Sequence, residues 1–168
     1  MRRGIAAAGS AVFFVLAPGV MAGLIPWGLT GWDAKDTWAP LVVLGAVLVA
    51  GGVVVLVHAF VRFVVEGVGT PAPVAPTEHL VVGGLYRYVR NPMYVAVTAI
   101  IVGQALVLGR PALLLYAAAF AAITATFVRV YEEPTLRERY GAEYEAYRRA
   151  VPGWWPRLHA WRPGAGDH

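Results

Sequence analysis

Three groups of polar side chains are the places where this sequence could do chemistry, because each stands beside a long apolar stretch. Ionisable residues at membrane depth are costly to keep there, and they usually mark a function. Each group contains a cation. The groups are His58 with Arg62, Arg90 with Asn91, and Arg129 with Glu132 and Glu133.

The third group has the spacing of one helical face. Arg129, Glu132 and Glu133 occupy positions i, i+3 and i+4, so a helix brings them together. One interpretation is structural: an ion pair within the helix, just before Pro134. The other is functional: a cation and two carboxylates grip a small polar ligand at the membrane edge.

The second group lies where a helix is expected to begin. Asn91-Pro92 predicts a helix start, with Asn91 as N-cap and Pro92 in the first position. In the structural interpretation, Arg90 faces a headgroup phosphate and Asn91 caps the helix. Aromatic rings beside a helix N-terminus could instead hold an adenine ring and a carboxylate. Three tyrosines stand close by in the sequence: Tyr86, Tyr88 and Tyr94.

The first group, His58 and Arg62, has an adequate structural interpretation. Arg62 is expected to extend toward the headgroup layer, and His58 to bond to a neighbour. The 4 histidines of the chain are scattered without metal-ligand spacing, and there are 0 cysteines. No metal site is therefore predicted.

The composition shows what must position these groups. The chain has 168 residues, of which 58% are hydrophobic and 14% charged. A soluble domain usually has about 25% charged residues, and disorder requires low hydrophobicity. A soluble globular domain and a disordered chain are therefore both excluded, and the length allows a single membrane domain over residues 1–168.

Four apolar stretches are long enough for membrane spans, since a span needs about 20 residues. They predict an all-α, polytopic membrane helix bundle with four transmembrane helices. Only residues 109–111 separate the last two spans, which predicts a tight antiparallel hairpin. Gly45, Gly51 and Gly52 in the second span predict close helix packing rather than a nucleotide-binding loop. The predicted spans are 5–29, 38–65, 92–109 and 111–131.

The arginines set the predicted orientation. With four spans, twelve of the 14 basic residues fall on the side of the termini, and only Lys35 and Arg110 fall on the other. The positive-inside rule then places both termini and the segments 66–91 and 132–168 in the cytoplasm. The excess of Arg over Lys, with much Ala and Gly, suggests a bacterial cytoplasmic membrane. The alternative for the first stretch is a signal peptide.

The arginines are also dispersed, with no nucleic-acid-binding motif, so no nucleic acid partner is expected. The C-terminal segment predicts an amphipathic cytoplasmic helix, because Leu136, Tyr140, Tyr144 and Tyr147 share one helical face. Such a helix would lie on the membrane surface or cap the bundle. Three tryptophans that suit the headgroup layer follow it: Trp154, Trp155 and Trp161.

A resemblance to a known superfamily lies in two segments on either side of the hairpin, LVVGGLYRYVRNPMYV and YEEPTLRERYGAEYEAYRRAVPGWWP. Together they resemble the isoprenylcysteine carboxyl methyltransferase and phospholipid N-methyltransferase superfamily of integral membrane enzymes. Its motif is Arg-His-Pro-x-Tyr, followed about two spans later by a Glu-Glu pair. The resemblance covers about residues 66–158. It implies S-adenosylmethionine as methyl donor, in a pocket between the loop before the hairpin, the hairpin and the C-terminal helix.

The resemblance also implies residue roles. A substrate-facing arginine of the family corresponds most nearly to Arg129, displaced by one residue, with Val128 in the matching place. Asn91 stands where the family usually has His; it can donate a hydrogen bond but cannot titrate near neutral pH. The cofactor contacts carried over are Glu78, His79, Leu80, Val81, Tyr86, Asn91, Pro92, Met93, Tyr94 and Glu132.

The implied reaction is methyl transfer to a lipophilic acceptor that enters from the lipid bilayer. Three acceptors stay open: an isoprenylcysteine carboxylate, a phospholipid amine and a small thiol. Alignment alone can supply about 7–11 kcal/mol to such a displacement, so no metal is needed. The alternatives are an NADPH-dependent membrane reductase of the sterol-reductase type, which needs added basic residues for the 2′-phosphate, and a non-catalytic small membrane binding protein.

Overall fold

The computed structural model describes residues 9, 12–13, 16–67 and 79–164. Predictions that fall on the remaining residues, including Glu78 and the start of the first span, lie outside this part of the chain. In the described ranges the regular structure is helical and contains no strand. The helices are α1 (Leu16–Thr30), α2 (Ala39–Gly67), α3 (Pro92–Leu108), α4 (Pro111–Phe127) and α5 (Glu133–Ala150).

The helices carry the apolar surface of a membrane protein. Two helical stretches, Ala39–Glu66 and Pro111–Ala150, are long and apolar enough to cross a membrane, while α1 and α3 are apolar but shorter. Many large apolar side chains along α2 and α4 are exposed, among them Val43, Val54 and Leu115. Exposed apolar surface of this extent is typical of a site covered by lipid or a partner.

Glycines allow α2 and α3 to approach closely. A Cβ on Gly45 would lie 2.6 Å from the carbonyl oxygen of Gly103, and a Cβ on Gly103 would lie 2.6 Å from that of Gly45. A Cβ on Gly52 would lie 2.6 Å from Cγ1 of Ile100, whereas Gly51 has nothing within 4 Å. The packing prediction is therefore confirmed for Gly45 and Gly52 and wrong for Gly51.

Replacing Gly45 by alanine should lower the midpoint of thermal unfolding in detergent, because a backbone carbonyl cannot yield to the new methyl group. The same replacement at Gly51 is a matched control on the same helix. Alanine gains about 1 kcal/mol of helix propensity over glycine, so Gly51→Ala should be neutral or stabilising. Two variants of equal stability would show that the α2–α3 contact is not tight.

A proline and a π-helical turn in α1 explain two polar contacts inside the bundle. Pro26 has no N–H, which leaves the carbonyl of Ala22 without its helical donor. The Ile25 N–H bonds to the carbonyl of Val20 in a π-helical turn, which leaves that of Met21 without one. The side-chain amide of Gln104 donates to the carbonyl of Ala22 at 2.6 Å, and the hydroxyl of Tyr116 donates to that of Met21 at 2.7 Å. Donors from α3 and α4 thus tie α1 to the hairpin, as polar groups in apolar surroundings require.

The connecting segments gather at the two ends of the bundle. At one end, the short turn between α3 and α4 contacts the segment after α1: the Arg110 guanidinium pairs with Asp33, and the Lys35 N–H donates to the carbonyl of Leu108. Gly109 ends α3 in a left-handed conformation (φ 59°) that favours glycine. At the other end, the segment 79–91 meets α5 and the residues after it.

Candidate functional site

The segment before α3 is fastened to the end of α2. The N–H of Gly83 donates to the Glu66 carboxylate at 2.8 Å, and Arg62 pairs with the same carboxylate at 3.2 Å. Gly84 has φ 55°, and a Cβ there would lie 2.8 Å from Nε2 of His58. His58 and Arg62 therefore support this segment, and Tyr86 is buried just beyond them.

Glu132 and Glu133 bind different partners, one in the first turn of α3 and one just before it. The hydroxyl of Tyr94 donates to Glu132 at 2.5 Å, and Arg90 pairs with Glu133 at 2.8 Å. A π-helical segment, Val128–Glu132, joins α4 to α5 and changes the helical register there. The ion pair proposed within the helix is wrong, since Arg129 is exposed and pairs with no described carboxylate.

Arg90 is the centre of a buried polar network. Its side chain is only 14% exposed, so the interpretation that it faces a headgroup phosphate is wrong. Besides Glu133, it donates to the carbonyl of Val151 at 2.9 Å and to the hydroxyl of Tyr144 at 3.0 Å. Arg148 lies 3.3 Å from Glu133. Arg90 thus joins the segment before α3 to both the beginning and the end of α5.

Asn91 occupies the predicted N-cap position, and Pro92 the first position of α3. The Asn91 side chain, however, makes no cap hydrogen bond. Its amide donates instead to the carbonyl of Gly153 at 3.1 Å, and its backbone N–H reaches the same carbonyl at 3.2 Å. The capping prediction is therefore correct in position and wrong for the side chain, which binds the segment after α5.

These contacts surround a cavity of about 120 Å³ between the segment before α3, the π-helical segment and α5. Five of the residues carried over from the superfamily line it: Leu80, Val81, Tyr86, Asn91 and Glu132. The other lining residues are Phe63, Arg90, Val128, Glu133, Leu136, Tyr144 and Tyr147.

The remaining carried-over residues lie around the cavity or away from it. Tyr94 is one hydrogen bond behind Glu132. Pro92 is buried at the start of α3, and Met93 packs against the core. His79 is exposed, and the exposed Arg129 does not line the cavity.

Sequence reasoning placed Glu133 in a candidate group but did not assign Tyr144 and Tyr147 to a site. The aromatic stripe had identified the two tyrosines as one face of a helix. In the structure this face packs on the segment before α3, where the Tyr147 hydroxyl donates to the carbonyl of Tyr86 at 2.7 Å. The two residues are separated by the whole α3–α4 hairpin, so a local sequence pattern cannot predict their contact.

Burial and charge set the ionisation of the cavity wall. Burial raises the pKa of Tyr86, Tyr144 and Tyr147, so these hydroxyls are neutral donors at neutral pH. Burial also acts to raise the pKa of Glu133. The hydrogen bond and charge of Arg90, with Arg148, outweigh it and hold that pKa below its ordinary value.

Acid should destabilise this network. Because the pKa of Glu133 is lower in the folded protein than in the unfolded chain, its contribution is present above the unfolded value and is lost as pH falls through the folded value. The temperature of the unfolding midpoint should therefore fall as the pH is lowered past about 4.5, the ordinary pKa of a glutamate. A Glu133→Gln variant should lose part of that pH dependence, and an unchanged profile would contradict the assignment.

The arrangement combines neutral tyrosines, a carboxylate and an amide in a cavity at one end of an apolar bundle. In the described ranges no group of three or more His, Cys, Asp or Glu side chains could hold a metal ion. Neither a curated protein nor a solved structure matches the chain. The family model for phospholipid methyltransferases matches residues 40–143, which include nearly all of α2, the hairpin and the cavity-lining residues up to Leu136. This match covers more than half of the sequence, and the chain therefore belongs to the phospholipid methyltransferase family.

Proposed function

We propose that this protein is an integral membrane methyltransferase that uses S-adenosylmethionine, bound in the cavity between the segment before α3 and the Glu132-Glu133 pair. Membership of the family gives the methyltransferase activity. The observation that supports the site is that residues 80–91 and 128–147, on either side of the hairpin, line one cavity. The proposed topology has four spans in one domain, with both termini in the cytoplasm, where this cofactor is made.

The cavity wall fits the chemistry of the cofactor, which supplies an activated methyl group on a sulfonium. The carboxylate of Glu132 suits the ammonium or the sulfonium, because opposite charges attract strongly where water is scarce. The Asn91 amide suits the carboxylate. The rings of Tyr86 and Tyr147 provide flat apolar faces for an adenine ring or a cation.

The residues of the chain align the reactants and exclude water from the cavity. Leu80, Val81 and Leu136 line the cavity with apolar surface that excludes water. The hydrogen bond from Tyr94 holds the Glu132 carboxylate in one orientation. Holding two reactants in line can supply about 7–11 kcal/mol, and a displacement at a sulfonium gains chiefly from such alignment.

The proposed acceptor is lipophilic and comes from the bilayer. An exposed apolar groove on the outer side of α4 is lined by Ile123, Phe127, Val130 and their neighbours. Arg129 is exposed within the same stretch and is the candidate for contacting the acceptor. An isoprenylcysteine carboxylate, a phospholipid amine and a small thiol all fit a site at this edge.

Ligand-induced stabilisation tests the cofactor. S-adenosylhomocysteine should raise the unfolding midpoint of the purified protein, and NADPH should not. The described lining residues include one cation, Arg90, which Glu133 already neutralises, so no free basic group is left for a 2′-phosphate. Stabilisation by NADPH alone would favour the reductase, and stabilisation by neither at millimolar concentration would favour a non-catalytic protein.

The acceptor is then identified by labelling. The protein is incubated with S-adenosylmethionine carrying a radioactive methyl group and, in separate reactions, with a lipid extract of the native membrane and with an aqueous extract of the same cells. Separation by headgroup and by chain type shows which class becomes labelled. Label in an aqueous metabolite alone would contradict a lipophilic acceptor.

A further inference from the structure

The residues after α5 form a segment that lies beyond the family match, which ends at residue 143. Residues 151–161, called the C-terminal strap here, run back along the segment before α3. The backbone N–H of Arg90 donates to the carbonyl of Pro152 at 2.9 Å, and that of Arg157 donates to the carbonyl of Tyr88, also at 2.9 Å. At the far end, Trp161 and Arg87 exchange hydrogen bonds of 2.7 and 3.0 Å.

Two tryptophans of the strap pack near tyrosines in and around the cavity wall. The ring of Trp154 lies 6.4 Å from that of Tyr94, between centroids, and the ring of Trp161 lies 5.4 Å from that of Tyr147. These contacts place the strap beside the first turn of α3, at the end of the bundle that carries the cavity. The strap therefore packs behind Tyr94 and Tyr147, which contact Glu132 and line the cavity, respectively.

Two other side chains of the strap face outward, and no residue in the described ranges covers them. Trp155 is 81% exposed and Leu158 is 91% exposed. Removing an apolar side chain of this size from water is favourable, so we expect another surface to cover Trp155 and Leu158. Val130 and Tyr131 are exposed at the same end of the bundle, two residues or fewer from the Glu132 that bonds to Tyr94.

The charges around this patch indicate what covers it. Residues 151–164 contain no acidic residue, and Arg162 and nearby Arg149 are exposed. Trp beside Arg suits the boundary between acyl chains and anionic headgroups. In the four-span topology proposed above, on which this inference rests, the strap at the ends of the apolar helices lies at the level of that boundary.

We propose that Trp155 and Leu158 insert into the headgroup layer of the cytoplasmic leaflet, and that this lipid contact holds the C-terminal strap against the segment before α3. The occupant is the phospholipid surface itself, with anionic headgroups beside the arginines.

Spin labelling tests the insertion directly. The chain has 0 cysteines, so Leu158→Cys carries a single nitroxide. In nanodiscs of phosphatidylcholine and phosphatidylglycerol, this label should collide with an aqueous nickel chelate about tenfold less than a label at Glu143→Cys, on the exposed side of α5. Collision equal to that of Glu143→Cys would overturn the proposal.

A third label separates this proposal from the topology on which it rests. Ile123 is 69% exposed near the centre of the predicted span 111–131 and should be shielded from nickel and open to oxygen. If Ile123→Cys is open to nickel, the membrane topology is wrong and the proposal falls with it. If Leu158→Cys is accessible to nickel while Ile123→Cys is shielded, the topology stands and the lipid contact is refuted.

Hydrogen exchange tests whether lipid holds the strap. In the double variant Trp155→Ser and Leu158→Ser, the amides of Arg157 and Trp161 should exchange about tenfold faster in nanodiscs than in the parent protein. The matched control is Leu29→Ser with Trp32→Ser, two exposed apolar residues at the other end of the bundle. Exchange that is unchanged in the first variant, or raised equally in both, would refute the anchoring role.

Discussion

Replacing Glu132 by alanine should abolish the stabilisation of the protein by S-adenosylhomocysteine and reduce methyl transfer by about 100-fold or more. Removing one partner of a buried charge contact costs about 2–5 kcal/mol, and about 1.4 kcal/mol corresponds to a factor of ten. Glu132 lines the cavity, and the Tyr94 hydroxyl is its one hydrogen-bond donor in the described part of the chain. Binding is measured by thermal shift and by titration calorimetry in nanodiscs.

Two further variants sharpen this test. Tyr94→Phe keeps the ring and removes only the donor, so it should weaken binding less than Glu132→Ala does. Glu143→Ala removes a carboxylate from the exposed side of α5 and should bind the ligand normally. If Glu132→Ala retains the parent affinity while its circular dichroism and unfolding midpoint are unchanged, Glu132 does not belong to the cofactor site.

Replacing Arg90 by alanine should destabilise the protein more than any surface change of the same kind. Arg90 donates to Glu133, Tyr144 and the carbonyl of Val151, and its loss leaves Glu133 in a buried site with Arg148 alone. Breaking a buried ion pair in this way costs about 3–5 kcal/mol. The unfolding midpoint in detergent and the free energy of denaturant unfolding report the loss.

Arg137→Ala is the matched control for this prediction. It also removes an arginine paired with one glutamate, Glu145, but the Arg137 side chain is 41% exposed. Exposed pairs of this kind contribute less than about 1 kcal/mol. Equal destabilisation by the two replacements would show that Arg90 does not organise the site.

The predictions for Glu132 and Arg90 depend on some features that the sequence predicts and on others that it does not. The apolar stretches and the positions of Pro92, Gly109 and Pro111 indicated where helices begin and end, because hydrophobicity and backbone restriction act within a few residues. The spacing of Asn-Pro-x-Tyr and Glu-Glu indicated the family, which the match over residues 40–143 confirms. The number of membrane crossings and the cofactor contacts remain proposals.

Other features depend on residues far apart in the chain. The pairing of Arg90 with Glu133 spans 43 positions and depends on how the hairpin packs. The π-helical segment shifts the register at the Glu pair, and neither an i, i+4 rule nor a helical wheel anticipates such a shift. The structural interpretations of Arg90 as a headgroup contact and of Arg129 as the partner of an ion pair within its helix are therefore both wrong.

The sequence by itself determined that this is an all-helical, apolar chain of the phospholipid methyltransferase family, because composition, local helix signals and motif spacing are properties of neighbouring residues. Tertiary structure decided that Gly45 meets Gly103, that Arg90 is buried, and that the strap closes on the segment before α3. Those contacts are made by groups brought together only when helices pack. Their energies depend on distances and burial that no local pattern contains.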